Sequence, residues 1–213
     1  MQALHQAMLL KKLYLLRALG FVYSNPIFTK ARASNFQAKD INSLDLMIKN
    51  CKLCPKKAQN LMPNAGLCNK DSKIVFVSLF PLLDGNLRFS SKSSEMLLKI
   101  ITNVFHLEVC NVSILSLLKC EIPKSDLQDS LQSCAPFFQK QLEFTQCKNI
   151  ITLGSEAYFY LTNDGTAFER IKGQLLQWQN RNLFPCFSPL DLLKNPSLKT
   201  QAHKDFINIK GYL

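Results

Sequence analysis

Residues 112–123, VSILSLLKCEIP, restrict the fold of this chain more than any other stretch. From 112 to 118 the run is apolar apart from Ser113 and Ser116. A strand of a parallel sheet, covered on both faces, reads this way. The run then breaks into Lys119, Cys120, Glu121 and Pro123. A core strand therefore delivers a cation and a thiol to its C-terminal end, where open α/β sheets place their sites.

Three further runs have strand character: residues 74–80 (IVFVSLF), 149–153 (NIITL) and 183–187 (LFPCF). Helices are expected at 95–105, at 126–146, at 156–161 with Ser155 as cap, and at 198–209. A shorter one, 44–49, is capped by Ser43 and leads into Cys51. At the N-terminus Leu4, Met8, Leu9, Leu13, Leu16 and Leu19 recur at helical spacing over residues 2–20, with Gly20 as the stop. The alternation of strand and helix predicts an α/β fold, a three-layer α/β/α sandwich around a central four-stranded parallel sheet. Residues 1–44 are expected to form an N-terminal helical extension and connector, and residues 45–213 the α/β domain.

Charge is distributed unevenly. The formal net charge is +11, and residues 1–100 hold 15 Lys+Arg against 5 Asp+Glu. A basic half suits phosphate or another acidic surface. No run approaches the roughly 20 apolar residues a spanning helix needs, and no signal peptide precedes the cysteines. The expected setting is cytoplasmic and reducing, without a membrane, so the eight cysteines are thiols or metal ligands rather than disulfides.

Cys51 and Cys54 form C-K-L-C, a spacing that lets two thiolates reach one metal centre. Cys120 and Cys134 supply a second pair around a proline-bearing loop. Four thiolates suit zinc or a [4Fe–4S] cluster equally on ligand type. Cys68, in NAGLCNK, competes as a ligand. Cys110, Cys147 and Cys186 sit in or beside apolar elements and read as small buried hydrophobes.

Taken together, these motifs resemble the iron–sulfur, type-four uracil-DNA glycosylases over residues 45–213. C-K-L-C is similar to that family's first ligand pair. Leu118-Lys119-Cys120 with Pro123 resembles its N-V-V-K-C-x-x-P strand end, and Cys134 falls where its last ligand lies. Residues 150–157 (IITLGSEA) resemble its I-x-x-L-G-x-x-A turn, and Lys172-Gly173 stands in place of an Arg-Gly. Residues 184–196 (FPCFSPLDLLKNP) resemble its T-x-H-P-x-x-L-L-R-N-P loop.

The resemblance implies a [4Fe–4S] cluster on Cys51, Cys54, Cys120 and Cys134, with zinc as the alternative. It implies a monomer whose partner is DNA, uracil-containing or single-stranded. Such enzymes flip uracil out of the stack and hydrolyse its N-glycosidic bond. Phe89 matches the ring on which the base stacks, and Ser116 falls at the base-reading position. Lys119, Pro189, Leu190, Leu192 and Lys194 are the expected DNA contacts, with Leu190 or Leu192 as an apolar wedge in the minor groove.

The departures fall on the chemistry. The family's Glu, Asn and His align with Leu79, Ser116 and Ser188. Leu79 cannot activate water, and a serine cannot supply a cationic donor to departing uracil. Asp84, the only carboxylate in residues 82–94, is the candidate to activate water in their place, and Ser188 occupies the second catalytic position. A competing reading makes Asp84-Gly85 simply a turn. The sequence thus supports a divergent glycosylase, a non-catalytic iron–sulfur DNA-binding or repair-partner module on the same fold, or a zinc-stabilised structural protein.

Overall fold

The computed structural model describes residues 38–54, 62–123 and 127–213, together with Lys11. Apart from Lys11, the helix expected over residues 2–20 lies outside them. Among the described residues five strands form one sheet: β1 (Ile74–Ser78), β2 (Val112–Ser116), β3 (Asn149–Leu153), β4 (Leu176–Trp178) and β5 (Arg181–Cys186). Their order is β2-β1-β3-β5-β4. Neighbouring pairs run parallel except β4 with β5, which are antiparallel.

The strands are apolar almost throughout because both faces are covered. Alternate residues point to opposite sides. Val75, Val77, Leu115, Ile150 and Leu183 pack with Leu131, Phe138 and Leu142 of α3 (Leu127–Thr145). Ile74, Phe76, Ile114, Ile151 and Phe184 pack on the other face with Leu97 of α2 (Lys92–Lys99) and with Ala202, Phe206 and Ile209 of α7 (Leu198–Lys210). The result is the expected three-layer sandwich. No helix among the described residues is long and apolar enough to cross a membrane.

The sheet differs from expectation in its fifth strand. Leu176–Trp178 is too short to show a periodicity of its own. It is held by a two-residue turn at Gln179 and Asn180, with φ of 48° and 62°, the backbone that tight hairpins require. Capping also moves helix starts. The first helix, α1 (Ile41–Lys49), is capped by Asp40, with Ser43 returning the bond from the third helical position. It therefore crosses the boundary expected between residues 44 and 45. In the same way Ser91 and Ser94 start α2 at Lys92 rather than Glu95. The turn after α2, Ile100–Val104, is a π-helix. Gly154, at φ 98°, occupies the cap position of α4 (Ser155–Thr162) that was expected for Ser155. Between α4 and β4 runs the short helix α5 (Phe168–Ile171).

One edge of the sheet is covered by a loop. Leu67 exchanges both backbone hydrogen bonds with Ile114 of β2, at 2.9 and 2.7 Å. Gly66 makes that approach feasible: its φ is +75°, and a Cβ there would lie 2.4 Å from the Ile114 carbonyl oxygen.

Candidate metal centre and nucleic-acid interface

The C-terminal end of β2 leads into residues 117–120, and α3 passes beside it. Cys51 and Cys54, just after α1, reach the same place. All four expected ligands, Cys51, Cys54, Cys120 and Cys134, line one cavity with a volume of about 20 Å³. Leu118, Ile122 and Ser130 help to close it. Cys134 is buried at 8% exposure, and the other three are half-buried. The Cys54 sulfur lies 3.0 Å from Ser130 Oγ. Burial pushes the Cys134 thiol up, while the Lys119 backbone N–H and the Lys119 ammonium pull it down.

The donor set is therefore four thiols on one wall system. The side chains share a cavity without meeting at one point: no three His, Cys, Asp or Glu among the described residues stand in ion-binding geometry. The void has room for about one water-sized body. Cys68 is not part of this wall. It is buried, its sulfur faces the Gln141 carbonyl at 3.7 Å, and burial pushes its thiol up to about 12. Cys147 and Cys186 are buried as expected, whereas Cys110 is exposed.

Lys119 departs from its expected role. It is 1% exposed, so it offers no ammonium to a surface phosphate. Its Nζ donates to the Ser116 carbonyl and to Gln141 Oε1, both at 2.6 Å, and lies 5.7 Å from the Phe138 ring centre. Both oxygens are neutral. Burial pushes its pKa down to about 8, against the pull of Cys134, Cys68 and Asp45. A buried ammonium held by neutral acceptors needs nearby negative charge. Thiolates in the adjoining cavity would supply it, and this observation fits the residues to a thiolate-bound metal group.

The residues expected to act on a base are tied into local structure. Asp84 Oδ1 accepts from the backbone N–H groups of Asn86 and Arg88, at 2.9 and 2.8 Å. The Arg88 backbone bond, aided by Asn86, Ser90 and the Arg88 charge, holds its carboxyl below the usual range. The turn expected as the competing reading of Asp84-Gly85 is formed, and a carboxylate so held is a weakened base. Phe89 is half-buried against the core. Ser116 is 2% exposed, and its Oγ has no hydrogen-bond partner.

Ser188 is a helix cap. It opens α6 (Pro189–Lys194), accepting from the Asp191 backbone at 3.1 Å and donating to Asp191 Oδ2 at 2.7 Å. Residues 188–196 are thus not a simple loop. Within α6, Leu190 is 48% exposed and can meet a groove, whereas Leu192 is 3% exposed and belongs to the core. Pro189 is also buried, and Lys194 is exposed. Of the two wedge candidates, only Leu190 is exposed.

Two polar residues escaped the sequence reading. Asn64 donates from Nδ2 to the carbonyls of Leu83 and Asp84 at 2.6 and 2.9 Å, and its backbone N–H donates to the Lys119 carbonyl at 2.6 Å. It thereby ties the Asp84 turn to the strand end beside the thiols. Gln141 bridges Lys119 to the Ala65 carbonyl, to which its Nε2 donates at 2.6 Å. The sequence P-N-A-G marks Asn64 as a turn residue, but nothing local marks Gln141.

A family model described as the Uracil DNA glycosylase superfamily matches residues 65–210. Among curated proteins the chain is similar to the type-4 uracil-DNA glycosylase of Saccharolobus solfataricus, at 25% identity over 81% of this chain and 88% of the relative. It is also similar to the protein of that name from Sulfurisphaera tokodaii, at 25% identity over 76% and 78% of the two chains. The namesake from Thermotoga maritima is 26% identical over 78% and 91%.

Proposed function

Because the chain belongs to the Uracil DNA glycosylase superfamily, we propose that it is a DNA repair protein that hydrolyses the N-glycosidic bond of uracil or another deaminated base. We propose also that Cys51, Cys54, Cys120 and Cys134 hold a [4Fe–4S] cluster, with zinc as the alternative. The observation that carries this reading is the gathering of those four thiols on one cavity at the end of β2. When bound, the metal group ties the 51–54 segment, the β2 end and α3 together, so its binding contributes to folding.

The base must leave the stack before its glycosidic bond is reachable. In this reading Ser116, whose buried Oγ has no hydrogen-bond partner, stands at the base-reading position, and Phe89 is the stacking ring. Breaking the C1′–N bond leaves positive charge on the sugar and negative charge on the base, and water supplies the oxygen that bonds to C1′. Asp84 is held ionised. An ionised carboxylate suits electrostatic support of a sugar cation better than proton removal. Leu190 and Lys194 of α6 serve the DNA surface. This reading expects a monomer working in the cytoplasm.

A second reading, a non-catalytic iron–sulfur module that binds DNA or a repair partner, is favoured by the engagement of Asp84 and Ser188 in turn and cap bonds. Cleavage separates the two. Metal-loaded protein should produce alkali-labile sites in uracil-containing single-stranded or mismatched DNA, and Asp84→Asn should abolish them. No product at stoichiometric protein leaves only the binding module. Iron and sulfide analysis, set against zinc content, decides the metal.

A further inference from the structure

A second cavity shares no lining residue with the thiol wall or the Asp84 turn. It is a groove of about 540 Å³ between the π turn after α2 and residues 199–206 of α7. Met96, Ile100, Val104, Leu192, Ala202 and Phe206 give it an apolar floor and walls. Lys99, Lys199, His203 and Lys204 stand around it, all exposed. Among the described residues none of its lining side chains is Asp or Glu.

A separate observation concerns the backbone. Ile100, Asn103 and Val104 reach the groove from the π-helical turn, where the Phe105 N–H donates to the Ile100 carbonyl at 3.2 Å. π turns are rare, and they occur frequently at functional sites.

We propose that this groove docks an acidic amphipathic helix of a partner protein. An apolar stripe at helical spacing would fill the floor, and flanking Asp and Glu would meet the lysines. DNA fits less well, because its phosphates would use the lysines and leave the apolar floor against water. The chain's own N-terminal stretch also fits less well. Residues 1–37 carry Lys11, Lys12, Arg17, Lys30 and Arg32 and no acid, so they repel the same lysines.

The test uses full-length protein and a fluorescein-labelled peptide of about 18 residues, long enough for five turns. Its leucines follow the i, i+3, i+4, i+7 pattern and its other positions are mainly Glu. Anisotropy should show binding that weakens with salt. Lys199→Glu/Lys204→Glu should weaken it by about tenfold or more, with an unchanged thermal midpoint. Replacing the peptide leucines by alanine should abolish it. Absent binding, or binding indifferent to charge reversal, overturns the proposal. So does displacement by a peptide of residues 2–20, which makes the occupant intramolecular, or by duplex DNA, which makes the groove a phosphate track.

Discussion

The thiol cavity and the rim positions Asp84 and Ser188, which follow β1 and β5, are built differently. Around the cavity, side chains from the segments after α1 and β2 and from α3 converge from distant parts of the chain. Their heads are gathered on a shared void, with a buried cation behind them. At the rim, Asp84 and Ser188 turn back on their own neighbours within a few residues. Long-range convergence on a void is what a bound group requires. Local closure is what a stable turn or cap requires. The difference teaches that distant segments bring four thiols together here, while Asp84 and Ser188 are engaged in local turn and cap bonds.

The largest effect that can break the comparison is on metal content. Cys120→Ala or Cys134→Ala should lose the metal altogether and lower the thermal midpoint, whereas Cys68→Ala should keep both metal and visible absorbance. Metal analysis and spectroscopy read this out. Retention in Cys120→Ala would separate the cavity from any cofactor role.

Lys119→Met sharpens the same point. In metal-free protein, removing the buried ammonium relieves its desolvation but leaves the Ser116 carbonyl and Gln141 Oε1 without their donor, so the two effects offset and stability should change by about 1 kcal/mol or less. In metal-loaded protein the variant should release metal faster to a chelator, because the positive neighbour of the thiolates is gone. Equal chelation rates would remove Lys119 from the account.

Rim substitutions should be smaller. Ser188→Ala should cost about 1 kcal/mol, the usual loss for a helix cap, as read by denaturant midpoint. Asp84→Asn retains an oxygen acceptor for the turn and should leave stability nearly unchanged, so any loss of base excision by that variant reports on charge.

The smallest effect is a pH dependence well away from both regions. Tyr158 donates to Asp164 Oδ2 at 2.5 Å, and this bond, with help from Thr166, lowers the Asp164 pKa. A carboxyl lowered on folding stabilises above its unfolded value, about 3.8, and loses that contribution as pH falls through its folded value. Wild-type protein should therefore lose more stability than Asp164→Asn on acidification below about pH 4, by about 1 kcal/mol or less for so exposed a group.

The central strands were legible because parallel strands covered on both faces must be continuously apolar. That Cys51, Cys54, Cys120 and Cys134 come to one cavity was legible from the two-residue spacing of the first pair and the strand end that carries Cys120. The fate of Lys119 was not legible: a lysine after an apolar run reads as a surface cation, and nothing local announces that Gln141, far along the chain, joins the Ser116 carbonyl as an acceptor that lets it stay inside. Ser188 could have been read from S-P-L-D, a serine with an acid three residues on and proline at the first helical position. The resemblance to a longer loop motif directed attention to the missing histidine instead.

The crossing of Leu67 over β2 has a further consequence. An outer strand with open amides is a template on which other copies of a chain can stack into fibres. Here the bonds of Ile114 are already taken, and Gly66 is the hinge that permits it. A bulkier residue at 66 would do more than strain a turn. It would lift the guard from the sheet's flank, and its visible outcome would be aggregation during expression.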